Sequence, residues 1–206
     1  MNKACVAELF VEDHAHELFI GALVRRCARE LAIPSLEMRI ISARGGHPKA
    51  LEEFKTHQAR LLTPQWPKPK PDMLVIAIDA NCSGWANKRK SIEHVIAPTL
   101  KPITVIACPE PHIERWYMAD PVSFRQVVGK EPKREARKCD RDRYKSLLAN
   151  AIVEAGHPQM LGGIEFAQEL VEAMDLYRAG KAERSLKATI EKLRDLLNAS
   201  KNITPK

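Results

Sequence analysis

Residues 73–81 read Met-Leu-Val-Ile-Ala-Ile-Asp-Ala-Asn (MLVIAIDAN). Met73 to Ile78 is apolar without a break and rich in β-branched side chains. A strand with one wet face alternates polar and apolar residues; an unbroken apolar run is what a strand covered on both faces requires. The run stops at Asp79. The stretch therefore predicts a central buried strand with a carboxylate just beyond its C-terminal end.

Working outward, Pro64 to Pro71 (PQWPKPKP) holds four prolines in eight positions and predicts an extended surface loop. Downstream, Lys88 to Ile96 reads as a helix. Ile103 to Ala107 (ITVIA) reads as a second doubly covered strand, ending at Cys108-Pro109-Glu110-Pro111, and Ile113 to Ala119 reads as a short helix. Upstream, Ala7 to Val11 is a strand that ends in Glu12-Asp13. From His16 the period changes, and Ile20, Val24, Cys27 and Leu31 share one helical face until Pro34 intervenes. Met38, Ile40 and Ile41 suggest a further strand closed by Arg44-Gly45-Gly46. Pro48 then sits where a first helical turn tolerates it, ahead of Leu51, Phe54 and Leu61.

Strands alternating with helices imply right-handed crossovers, hence an α/β fold with a mostly parallel central sheet and flanking helices. Gly162-Gly163 precedes an amphipathic helix bearing Ile164, Ala167, Val171 and Met174, and Leu186, Ile190, Leu193 and Leu197 mark a last one. The expected organisation is an α/β core over residues 1–125. Residues 126–206 follow as a basic segment and a C-terminal helical extension packed on that core.

The 206 residues carry 33 Lys and Arg against 26 Asp and Glu, a net charge of +7, which favours polyanionic partners. Lys130 to Lys145 is the densest basic run, with eight Lys or Arg against four acids; it is the natural place for phosphate contacts and equally reads as a solvated face. Five cysteines, an odd number with no C-x-x-C pair, argue against a disulfide framework and read as reduced thiols. The N-terminus lacks the pattern of a signal peptide, and no apolar stretch approaches a membrane span. A cytoplasmic protein with no membrane partner is expected. No Walker A loop, G-x-G-x-x-G or G-x-S-x-G elbow is present, so nucleotide-cofactor and serine-hydrolase chemistry are not indicated, and Cys82 and Ser83 lack a matching base.

In open parallel sheets, ligands bind beyond the carboxyl ends of the strands. Three strands here end in acids: Glu12-Asp13, Asp79 with Asn81, and Glu110. Gathered carboxylate oxygens suit Mg²⁺ or Mn²⁺, which can polarise a phosphoryl oxygen. Each acid taken alone is as readily a helix cap or an Asx turn; the coincidence at three strand ends makes the case. His14 and His16, next to Glu12, can be ligands or proton carriers, or simply surface and capping residues. Trp116 and Tyr117 can stack on bases or belong to the core.

Three segments carry a resemblance to a known family. VEDHAHELFIGALVRRC (11–27) looks like the opening of Toprim (topoisomerase–primase) domains, a strand, a glutamate, then a helix. MLVIAIDAN looks like the Toprim strand that delivers an Asp-x-Asp pair. CPEPHIERWYMADPVSF (108–124) resembles uncharacterised bacterial Toprim-like proteins related to the overcoming-lysogenization-defect nucleases. The resemblance covers about residues 5 to 180. It implies a metal-dependent strand-cleavage site in which Glu12 matches the Toprim glutamate, a metal ligand or general acid/base, and Asp79 matches the first aspartate of the metal-binding pair. Asn81 stands in place of the second aspartate, which lowers the cage charge by one unit, and Glu110 can supply that charge. It further implies that Gly45-Gly46 lets a phosphate approach a helix start, and its last segment includes Asp120; Glu114 and Arg115 can line the site or equally form a solvated ion pair. The expected contacts to nucleic acid, DNA in the first place, are Lys88, Arg89, Lys90, Arg115, Lys133, Arg134, Arg137 and Lys138. A separately encoded ATPase is the protein partner the resemblance suggests. Two further readings stand beside the nuclease. One is a catalytically inactive nucleic-acid-binding or ATPase-partner module, which Asn81 favours. The other is an unrelated small-molecule enzyme on a similar sheet, with a deep apolar pocket.

Overall fold

A computed structural model describes residues 4–133, 138–140, 142–158 and 160–202. Arg134 and Arg137 of the basic run lie outside the described residues. The fold is α/β, with four parallel strands flanked by helices. The strands are β1 (Cys5–Val11), β2 (Leu36–Ser42), β3 (Met73–Ala77) and β4 (Thr104–Ala107), in the order β2-β1-β3-β4. Every residue of β1 and β3 is buried, whereas β2, at one edge, is only partly covered. The unbroken apolar sequence of β3 follows from that central position, and in β1 the one interruption, buried Glu8, is met by His57 Nε2 at 2.7 Å.

Helices α1 (His14–Glu30), α2 (His47–Leu61) and α3 (Trp85–Val95) make the crossovers. One face of the sheet, with Leu9, Val11, Val75 and Val105, packs on α1 and on the C-terminal helices. The other face, with Phe10, Leu74 and Ile76, packs on α2 and α3 through Phe54, Leu61 and Ile92.

After β4 the chain is helical: α4 (Glu114–Tyr117), α5 (Pro121–Val128), α6 (Arg143–Glu154), α7 (Ala167–Ala173), α8 (Leu176–Ala182) and α9 (Arg184–Asn202). Residues on both sides of position 125 join one buried cluster, Leu148, Ile152, Leu186 and Leu193 lying with Phe19, Val105 and Trp116. Trp116 and Tyr117 are both core: the Trp116 indole donates to Ser185 Oγ (3.1 Å) and Tyr117 Oη to the Ala15 carbonyl (2.8 Å). Among the described residues no helix is long and apolar enough to cross a membrane.

The expectation of five reduced thiols needs correction. Cys82 and Cys139 form a disulfide across 57 residues, with Cα atoms 5.3 Å apart, while Cys5, Cys27 and Cys108 are free and buried. Cysteine spacing detects local pairs; this pair is made by the tertiary fold, which brings the turn after β3 against the basic segment.

Asp120 has a structural task. Its buried carboxylate accepts from Ser123 Oγ (2.6 Å), the Asp175 N–H (2.8 Å) and the Arg178 guanidinium (3.0 and 3.1 Å), tying the start of α5 to α8. Burial opposes its ionisation, but the Arg178 and Ser123 bonds outweigh that and hold its pKa at about 2. Replacing it with alanine strands a backbone donor and a hydroxyl, so Asp120→Ala is expected to lower the unfolding free energy by about 2–3 kcal/mol. Urea denaturation at neutral pH reads this directly; an unchanged midpoint would refute it.

Candidate metal centre

The strand order places the switch point between β1 and β3: the chain crosses from β1 to β2 on one side, then returns to build β3 and β4 on the other. At such a point the two crossovers diverge and leave a crevice above the carboxyl ends. Val11 pairs with Ala77, and the Glu12 N–H continues the ladder to the Ala77 carbonyl (2.9 Å), so the two strands end level. Glu12 and Asp79 are therefore delivered to the same crevice.

Glu12 and Asp79 are linked there through the Asp79 backbone. Glu12 Oε2 accepts the Asp79 backbone N–H at 2.9 Å. His16, one turn into α1, is fully buried (0% exposed) and reaches Asp79 Oδ1 through Nε2 (3.0 Å) and Asp13 Oδ1 through Nδ1 (2.7 Å). His112, in the loop after β4, reaches the second Asp79 oxygen through Nδ1 at 3.0 Å. Glu12, His16 and Asp79 each offer a ligand atom, and these atoms lie within 4.8 Å of one another.

Both His16 nitrogens face carboxylate oxygens. Ionised carboxylates only accept, so both nitrogens must donate and the ring is an imidazolium. Burial works against that charge, but Asp79 and Asp13 overcome it and raise the His16 pKa well above its ordinary value. Burial likewise opposes ionisation of Asp79 and Asp13; the histidines outweigh it and hold both carboxyls below their usual range. The bond to Asp79 raises His112 against its partial burial.

Glu114 borders the same cavity and is 2% exposed, yet its Oε2 has no hydrogen-bond partner among the described residues. Burial, then the Asp79 charge, pushes its carboxyl up. The cavity encloses about 580 Å³, and Gly45, Gly46, Asn81 and Lys145 complete its lining. An oxygen-rich donor set with one imidazole and one orphaned carboxylate oxygen beside it fits a divalent cation. Binding through His16 requires the cation to displace a proton.

The other residues singled out from sequence fall in different places. Asp13 caps α1, accepting the His16 N–H at 3.1 Å, and Glu110 Oε1 accepts the Trp85 N–H at the start of α3 (3.1 Å). Asn81 lines the cavity within a turn of positive φ (48°), its N–H bound to the Pro111 carbonyl. Gly46, also at positive φ (63°), opens α2, and Gly45 donates its N–H to Glu53 (2.8 Å). A Cβ at Gly45 would meet the Lys49 side chain at 2.6 Å. Lys88, Arg89 and Lys90 sit on α3, with Arg89 paired to Glu93. Arg115 is held by buried Glu183 and lies over the Tyr144 ring. Lys133 is paired to Glu154, and Lys138 is exposed. Cys82 is consumed in the disulfide, and burial pushes the Cys108 thiol up to about 12, so neither is a ready nucleophile.

His112 was not singled out, although a histidine in a loop at the carboxyl edge is a usable signal. His16 carried a stronger one: it lies four residues before Ile20, on the apolar face of α1.

No known protein family, curated protein or solved structure matches the chain.

The charge cluster sets a pH signature for the metal-free chain. His16 and His112 have raised folded pKa values, so their stabilisation is complete below about pH 6.5, the unfolded value, and is lost as pH rises through the folded values. Asp79 and Asp13 act in reverse: their stabilisation is present above about pH 4 and is lost as pH falls through their depressed values. In EDTA the melting temperature is expected to be highest between these limits and to fall as pH rises above about 6.5, with His16→Gln removing most of the alkaline decline. Equal alkaline slopes in both proteins would contradict the imidazolium assignment.

Proposed function

We propose that the chain is a divalent-cation-dependent phosphodiesterase acting on nucleic acid, DNA in the first place. The observation that carries this is the meeting of Glu12, His16 and Asp79 at the switch point, beside the orphaned Glu114 oxygen. Mg²⁺ takes oxygen ligands, whereas first-row transition ions also accept imidazole, so the mixed donor set favours Mn²⁺ over Mg²⁺. A cation held there supplies charge stabilisation on the phosphoryl oxygens and activates water. The chain's own residues do the rest. His112 fixes the second Asp79 oxygen. Glu114, its carboxyl pushed up by burial and the Asp79 charge, borders the same space and is the group assigned to protonate the leaving oxygen. Lys145 and the Gly45-Gly46 turn border the space a phosphate would occupy.

The Toprim-like resemblance supports the same reading and adds an ATPase partner as part of the proposal. A cytoplasmic location also belongs to it; the three buried free thiols suit that compartment, and the exposed Cys82–Cys139 bond is the one a reducing compartment would open. One observation favours the non-catalytic module instead: both Asp79 oxygens are already bonded by imidazoles, so the site is satisfied without an ion.

The test is incubation of the chain with end-labelled single- and double-stranded DNA in Mn²⁺, Mg²⁺ or EDTA. Cleavage greatest with Mn²⁺ and absent in EDTA is the expected result. Cleavage that survives chelation would remove the cation from the mechanism, and DNA binding with no cleavage under any condition would establish the module.

A further inference from the structure

We propose that the cavity next to the metal centre, between the start of α1, α6 and the 161–164 turn, is a subsite for one unpaired nucleobase, with Lys145 gripping the phosphate between base and metal centre. This rests on the nucleic-acid reading above and names the part of the substrate that the second cavity takes.

The cavity holds about 470 Å³, within the range of small-molecule sites and ample for a single base. It shares Asp13, Glu114 and Lys145 with the metal-side cavity, so the two lie side by side. They differ in chemistry. One is the oxygen-rich cluster around Asp79. The other is walled by Ala15, Ala149, Leu161 and Ile164, with His14, Ser146 and Asn150 as further polar groups. A ligand that fills both would set a phosphate on Lys145, which borders both cavities, and a flat, largely apolar group with a polar edge in the second. A nucleotide unit has that construction.

Three further observations point to such an occupant. Leu161 is 53% exposed, an apolar side chain on a turn at the mouth of a cavity, where a bound ring would cover it. Lys145, exposed in α6, stands where the two cavities join and carries the positive charge that acts on Asp13 and Glu114. The orphaned Glu114 Oε2 belongs to a side chain that borders both cavities and lacks a partner until a ligand brings one. The Asn150 amide, donor and acceptor together, complements the N6–H and N7 edge of adenine. A base that enters a cavity has left the duplex stack, so it must come from single-stranded nucleic acid or from a frayed or extruded position.

The experiment is calorimetric titration of the whole chain in EDTA with deoxyadenosine 5′-monophosphate, deoxyribose 5-phosphate and inorganic phosphate. The nucleotide is expected to bind about tenfold or more tighter than the sugar phosphate. Leu161→Asp should erase that ratio. Lys145→Ala should weaken nucleotide and sugar phosphate alike and leave the ratio standing. Both positions are exposed, and thermal melts confirm that the variants fold. Equal affinities in the wild type, no detectable nucleotide binding, or a ratio that survives Leu161→Asp would each overturn the proposal. EDTA keeps cleavage out of the measurement, so the two readings fail separately. Base preference without Mn²⁺-dependent cleavage sinks the nuclease and keeps the subsite; cleavage without base preference does the reverse.

Discussion

Asp79→Asn is expected to abolish Mn²⁺-dependent cleavage, with a loss of about a thousandfold or more, equivalent to roughly 4 kcal/mol of transition-state stabilisation. The side chain keeps its shape but loses the charge on which His16 and His112 converge, and amide oxygen is a poor substitute for carboxylate in a cation cage. Glu12→Gln is expected to fall nearly as far. Its amide oxygen can still accept the Asp79 N–H, so the fold is preserved while the ligand charge is gone. Single-turnover cleavage beside a titration of Mn²⁺ binding checks both, with thermal melts to show that the variants fold. Either variant retaining wild-type activity while folded removes the assignment of that carboxylate. Loss of cleavage with undiminished Mn²⁺ binding would place the cation elsewhere.

Opening the Cys82–Cys139 bond is expected to cost the folded chain about 4 kcal/mol, because 57 residues of separation define a long loop whose closure restricts the unfolded ensemble. Engineered bridges often return less than the chain-entropy value, so 4 kcal/mol is an upper figure. Urea denaturation with and without dithiothreitol measures the difference, and Cys139→Ser supplies the control: it should match the reduced wild type and ignore the reductant. A wild-type transition unmoved by dithiothreitol would show that the bridge contributes nothing.

How far residues alone disclose this molecule varies along the chain. The strands from Met73 and from Thr104 are legible because a sheet buried on both faces needs unbroken apolar runs, and a segment of that length has few other uses. Sheet order is not legible, since period-two patterning says nothing about neighbours, and the meeting of Glu12 with Asp79 depends on that order. Helix α6 escapes a charge-based reading because its first turn lies inside the basic run; Tyr144, Leu148, Ala151 and Ile152 nevertheless mark its buried face. Short α5 and α8 escape for want of enough turns to show a period. At the site, capping does account for Asp13 and Glu110, as it does for most acids that follow strands. Glu12 and Asp79 differ because neighbouring parallel strands deliver them level with one another. The disulfide is invisible in spacing because its two cysteines become neighbours only through tertiary structure.

The bracketing of His16 by two aspartates has a consequence for how the protein matures. With an imidazolium in residence, the acidic crevice brings its own counter-ion and reaches a finished fold before any guest arrives. If the proposed cation binds there, synthesis and loading are uncoupled: the newly made chain is already folded, and the cation enters by displacing a proton.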